Sequence, residues 1–373
     1  MKNLFSWSTV APMLAWLIFA GTQISFGSNV GNTYLLIIAA GLVGAVLAAV
    51  HHAEIIAHKL GEPFGTLLLA VAITIIEVAL ILSLMLTGGA ETAALARDTV
   101  FAAVMIIVSG IVGLCLLIGG IDHKEQVFKL DGANAAITTL TAIMVLTLVL
   151  PNYTLTTIGP TYSNSQLAFI AIVSLVLYGT FIFVQVNRHR NYFLDGQDSN
   201  DDYIAKKGES PRVAALLMPI ITTKTAIIST LFLLISLVIV VLLAKALAPS
   251  IETLVRALGA PHQLVGVIIA SIVLLPEGLA ALRAARKNMF QTSLNLALGS
   301  ALASIGLTIP AVAILSLIMG WPLVLGIDMK STVLMLLALF VASLSLSTGR
   351  TNVLQGVTLL VIFGVYLFTT VIP

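Results

Sequence analysis

Eleven apolar runs, each near the length a helix needs to cross a bilayer, take up most of this chain. They lie at 8–27, 33–50, 65–87, 99–120, 133–150, 166–186, 225–248, 263–282, 292–318, 331–347 and 352–372. A hydrocarbon core about 30 Å thick takes roughly 20 apolar residues per spanning helix. Little charge is left over: 9% of the 373 residues are charged and 59% are hydrophobic, against roughly 25% and 45–50% in soluble globular domains. A soluble enzyme, a disordered chain and a nucleic-acid binder are thereby excluded. The alternating pattern of an outer-membrane barrel is absent, so the expected fold is an all-α polytopic membrane protein of about eleven transmembrane helices. The first run follows Lys2 as a signal peptide would, but residues 20–30 show no small-x-small cleavage site and the run is counted as a span. The single cysteine, Cys115, sits inside an apolar run. It excludes a disulfide framework and a cysteine metal cluster and reads as a packing residue.

An odd number of spans puts the termini on opposite sides. With the N-terminus in the cytoplasm, only Arg97, Lys245, Arg256 and Lys330 face outward, and the other fourteen of the eighteen Lys and Arg face inward. That asymmetry is the positive-inside signature. It predicts a multi-pass protein of the cell's inner (plasma) membrane with a cytoplasmic N-terminus and an outside C-terminus. The net charge of +2 is too small to point to an anionic partner.

A polar segment at 187–224 interrupts the spans and carries Asp195, Asp198, Asp201 and Asp202. Their spacing does not fit an EF-hand loop, so the segment reads as a solvated acidic linker. Around it the halves look like copies. LGEP at 60–63 opens one span and LGAP at 258–261 another. A glutamate follows deep in each, Glu77 and Glu277, and residues 99–114 align without a gap on 292–307, which sets Gly113 opposite Gly306. The copies start on opposite sides of the membrane, the inverted-repeat signature of many secondary transporters. The expected organisation is an extra N-terminal helix (1–30), a first repeat (31–186), the linker (187–224) and a second repeat (225–373).

Of sixteen acidic residues, only Glu77 and Glu277 lie deep inside spans, with no basic residue in their own spans to pair with. A charge there costs about 2.5–3.5 kcal/mol on insertion scales, and intramembrane acids mark ion or proton paths. A protonated carboxyl serving only as an interhelical hydrogen-bond donor is the plainer reading, and two acids at matching places in two repeats weigh against it. Thr74 sits one turn before Glu77. Pro276, just before Glu277, removes a helical donor and frees a carbonyl to line a cavity. Asn295, Gly299, Ser300 and Ser304 make a polar, small-residue stripe in the ninth run, and Ser109 and Gly110 lie in its counterpart. Such small residues also serve plain helix packing. Two carboxylates are neutralised by one divalent cation or by two protons. A site that crosses the membrane must carry one or the other, which is proton-coupled exchange. Candidate metal ligands are Glu77, Glu277, Thr74, Asn295 and Ser300, with the two glutamates also coupling protons.

These residues resemble a known family. HHAEIIAHKLGEPFGTLLLAVAITIIEVALILSLML, LLPEGLAALRAARKN, SLNLALGSALASIGLTIP and STGRTNVLQG are similar to bacterial ChaA-type calcium/proton antiporters of the calcium/cation antiporter superfamily, over about 33–372. The resemblance implies one extra helix plus two inverted five-helix repeats joined by an acidic linker. It places the family's cation-binding glutamates on Glu77 and Glu277 and its small-polar motif on Asn295, Gly299, Ser300 and Ser304. One departure stands out: many exchangers carry Gly-Asn three to four residues before each glutamate, where this chain has Ile73-Thr74 and Val273-Leu274. With those amides missing, calcium against protons remains the first expectation, and sodium or potassium against protons the alternative. No cofactor is implied; the partners are the transported cation, protons and the bilayer.

Two other classes fit less well. His51, His52, Glu54 and His58 could suggest an intramembrane metalloenzyme, but HExxH is absent. These residues read better as a bland, solvated cytoplasmic mouth, or as an entry funnel for protons with Glu54 and His52 as the candidate entry residues. A passive channel would not need protonatable acids in matched inverted repeats.

Overall fold

The computed structural model describes residues 6–24, 32–60, 64–88, 92–194, 223–257, 259, 261 and 263–372. The four aspartates of the acidic linker, Lys2 and most of the LGEP and LGAP segments lie outside the described residues. Eleven helices follow the eleven apolar runs in order. They are α1 (Trp7–Ile24), α2 (Asn32–Leu60), α3 (Phe64–Gly88), α4 (Leu95–His123), α5 (Leu130–Tyr153), α6 (Asn164–Arg188), α7 (Thr223–Ala257), α8 (Gln263–Arg286), α9 (Phe290–Met319), α10 (Met329–Leu346) and α11 (Val353–Val371). Among the described residues, nine helices are long and apolar enough to cross a membrane, and α1 and α3 contribute the shorter apolar stretches Trp7–Thr22 and Val71–Leu86. Among the described residues there are two isolated β-bridges and no strand. In lipid this is the expected outcome, because a helix satisfies its own backbone polar groups.

Helix contacts are reciprocal between the halves. α3 packs on α9 while α8 packs on α4; α4 packs on α11 while α9 packs on α6. The aligned glycines explain how closely. A Cβ at Gly113 would stand 3.0 Å from Cβ of Leu359 on α11, and one at Gly306 would stand 2.8 Å from Cβ of Tyr178 on α6. Each therefore lets a matching pair of helices approach, as small residues do at membrane-helix interfaces.

The connections are reciprocal too, at opposite ends of the bundle. Residues 124–129, between α4 and α5, run alongside the α10–α11 turn: Val127 bridges Arg350, Phe128 N–H donates to Gly349, and Gln126 and Thr351 exchange backbone and hydroxyl bonds. Residues 321–328, between α9 and α10, run alongside the α5–α6 connection: Val324 bridges Thr161, and Leu325 and Gly326 N–H donate to Pro160.

Apolar burial divides into two main clusters. The larger draws on α4, α5, α6, α8, α9, α10 and α11. A second joins α1, α2 and α7. The glutamate-bearing helices stand on the seam between them. α3 gives Ala72, Ile73 and Ile76 to the second cluster but Ile81 and Met85 to the first, while α8 gives Val273 to one and Ala270 and Leu274 to the other.

Candidate functional site

Glu77 and Glu277 are each 3% exposed and lie within electrostatic reach of one another. Glu77 Oε1 accepts a 2.7 Å hydrogen bond from the Ser304 hydroxyl of α9. Ser300, one turn earlier on α9, lies beside Glu277 without closing a hydrogen bond to it; both Glu277 carboxyl oxygens are buried and have no hydrogen-bond partner. Helical spacing explains the arrangement, since residues four apart share a face. One face of α9 thus serves a glutamate from each repeat.

An unpartnered buried carboxyl is rare and costly. Here it stands within reach of the Glu77 carboxyl and beside Ser300; Ser304 holds Glu77, buried Thr74 lies one turn before Glu77 on α3, and on α8 the Ile272 carbonyl loses the helical donor that Pro276 cannot supply. Such oxygen donors suit a hard cation, and protons when the cation is away. Among the described residues no three His, Cys, Asp or Glu gather into a metal-holding group, so charge at the site comes from the pair alone.

In α4, the counterpart of α9, a π-helical turn spans Ile106–Ile111 and contains Ser109 and Gly110. π-turns interrupt the regular ladder and recur at functional sites. The Ser109 hydroxyl is turned back onto the Met105 carbonyl, and a Cβ at Gly110 would meet the Phe363 ring at 3.3 Å.

Two sequence expectations land elsewhere. Asn295 does not join the glutamates: its amide donates to the Phe193 carbonyl, where the chain leaves α6, and accepts from Gln291. His52 does not line a mouth. It is 3% exposed, with Nε2 3.1 Å from the Ser8 carbonyl of α1 and its ring stacked on Phe232 of α7. Only a ring N–H can meet a carbonyl this way, so His52 fastens α1 onto α2 and α7. Glu54, on the same helix, keeps partial exposure.

Sequence reasoning placed Ser304 in a stripe but not against Glu77, and it missed the polar network between the halves. Gln126 Nε2 donates to the Ala285 carbonyl and to Asn288, and Gln291 accepts from the Lys129 N–H. Two glutamines beside apolar spans were the available signal. At the opposite end of the bundle a cleft is lined by Arg97, Asp98, Gln263, Asp328, Lys330 and Tyr366. There Arg97 pairs with Asp98 at 2.8 Å and reaches the Gly326 carbonyl.

Known proteins share this fold and sequence. The family described as sodium/calcium exchanger protein matches residues 30–187 and 228–372. The y4hA protein of Sinorhizobium fredii is 45% identical over 98% of this chain and 96% of its own length. The sodium-potassium/proton antiporter ChaA of Escherichia coli is 34% identical over 97% of this chain and 95% of its own. Among solved structures, that of YfkE superposes with a TM-score of 0.71 at 18% identity, covering 99% of this chain and all of the other. That of the H+/Ca2+ exchanger CAX superposes with a TM-score of 0.65 at 19% identity, covering 97% and 89%.

Proposed function

Because this chain belongs to the sodium/calcium exchanger protein family, we propose that it is a secondary active cation/proton antiporter, with calcium extruded in exchange for protons. The observation that carries the reading is the buried pair: Glu77 held by Ser304, and Glu277 with both oxygens unpartnered. Two carboxylates balance one divalent ion or two protons. With neither aboard, the pair would stand bare in a low dielectric, and that cost forbids an empty crossing. Glu77, Glu277, Thr74 and Ser300 are the proposed cation ligands, with Ser304 added by its contact. Calcium takes 6–8 oxygens, so water and freed carbonyls complete the shell. A site this sparing in charge also lets its ion leave, as transport requires.

The seam supplies the alternation. Relative motion of the α1–α2–α7 cluster and the larger cluster would open the glutamates to one side and then the other. The proposed orientation has the N-terminus and the 187–224 linker in the cytoplasm and the C-terminus outside. The chain is then a carrier of the inner membrane, with no enzymatic step and no cofactor.

Sodium or potassium against protons is the second reading. Ile73-Thr74 and Val273-Leu274 provide no amide ligands, and the 34% identical relative is named for those two ions. Everted vesicles with an imposed pH gradient, given calcium, sodium and potassium in turn, separate the two readings by which ion collapses the gradient. Collapse by none of the three would sink the carrier reading.

A further inference from the structure

Asn295 has both ends of its amide occupied, and the bonds form a chain of contacts across three elements. Its Nδ2 donates to the Phe193 carbonyl and its Oδ1 accepts from Gln291 Nε2 at 3.0 Å. Gln291 Oε1 in turn accepts from the Lys129 N–H at 2.7 Å, and Lys129 Nζ donates to the Asn191 carbonyl at 2.6 Å. The short 3-10 turn Arg190–Tyr192 is thereby clamped between the start of α5 and the first turns of α9. The clamp is also packed. Phe193 is 3% exposed and meets Phe181 edge-on at 5.7 Å, while a Cβ at Gly132 would stand 2.5 Å from the Tyr192 carbonyl.

The same helix presents Ser300 and Ser304 to the two glutamates. At 1.5 Å per residue, Asn295 lies about 7.5 Å before Ser300 and about 13.5 Å before Ser304 along α9. Over so short a stretch, the rotation of the helix start sets where the two hydroxyls point. One turn after Asn295 on the same face, a Cβ at Gly299 would find nothing within 4 Å.

Resting on the antiporter reading, we infer that Asn295 is a positioning residue that holds Ser300 and Ser304 toward the glutamates by bonding α9 to the Arg190–Phe193 turn. The turn is thus coupled to cation binding. By linkage, whatever factor the clamp adds to cation affinity, the cation returns to the clamp.

Asn295→Asp is the decisive variant, because it is isosteric and cannot donate to the Phe193 carbonyl. If Asn295 were itself a ligand, a carboxylate there would keep or tighten calcium affinity. As a positioning residue, its replacement by Asp or by Ala raises the cation KM several-fold, up to about tenfold, the upper end of what a neutral amide–carbonyl hydrogen bond is worth, with kcat within about twofold. Phe193→Ala should raise KM alike, and the double variant Asn295→Ala/Phe193→Ala should be no worse than the worse single one. Unchanged or tighter affinity in Asn295→Asp overturns the inference, as does a normal KM in Phe193→Ala beside a raised one in Asn295→Ala. A second readout does not need transport. Trypsin cleavage after Arg190, followed by mass spectrometry, should be faster in Asn295→Asp than in the wild type. Calcium should slow it in the wild type but not in Glu77→Gln. Equal cleavage of wild type and Asn295→Asp refutes the clamp even if no cation is exchanged. Exchange failing in the wild type while cleavage still differs refutes the carrier reading and not the clamp.

Discussion

Ser304 and Glu77 meet from opposite halves of the chain, 227 positions apart. The hydroxyl can donate to a carboxylate and can also turn a lone pair to a metal ion. Ser304→Ala is therefore expected to raise the cation KM about tenfold, the worth of a hydrogen bond to a charged group, measured as uptake into everted vesicles. Glu77→Gln and Glu277→Gln should each abolish coupled exchange while the protein still inserts, because an amide can neither neutralise the cation nor release a proton. Near-normal exchange in either well-expressed variant would remove that residue from the mechanism. The glutamates were legible in the sequence because a charge inside an apolar run contradicts its surroundings. Ser304's partner was not, since it depends on which face of α9 meets α3. The bonds of Asn295 to Phe193 and Gln291 were not legible for a related reason: an amide in a span announces that it has a partner without saying which one.

At the scale of helices, the runs in the sequence and the helices in the structure correspond one to one, because apolar length is a signal carried along a single dimension. How closely two helices approach is not carried that way, and it rests here on single glycines. Gly306→Ala must push α9 off Tyr178, and Gly113→Ala must push α4 off Leu359. Each should destabilise by about 1–3 kcal/mol, the usual cost of overpacking, read as a lower melting temperature in detergent. Gly299→Ala, with open space around it, should melt as the wild type does. Equal melting of all three variants would mean that the paired approaches are not tight. The two extended connections, 124–129 and 321–328, were invisible in the sequence. Their bonds are mostly made by backbone groups to distant partners, which leave no side-chain pattern to read.

For the whole molecule, the proposed mechanism has one pair of carboxyls serve both ions, since Glu77 and Glu277 are the two acids deep in the apolar runs. Apparent cation affinity should then weaken as pH falls, by up to tenfold per pH unit when one proton competes and up to a hundredfold when two do. Binding in detergent should release protons without any gradient. A flat affinity across the range where transport varies would point to separate paths. The proposed orientation is checked by cysteines at Ser163 and Ser199 in a Cys115→Ala background, of which only the first should react with an impermeant reagent from outside. The reciprocal sewing of the connections also governs how such a protein is made. Gln126 waits for Thr351, 225 positions later, which at 5–20 residues per second is roughly 10–45 s of synthesis. Until then the 124–129 segment lacks its partners at Gly349, Arg350 and Thr351, and until the start of α9 is made it also lacks those at Ala285, Asn288 and Gln291, which should leave the first half open to proteolysis. A chain stopped at residue 224 should be short-lived, and coexpressed 225–373 should extend its lifetime, so that the repeats mature as one unit even though they are translated one after the other.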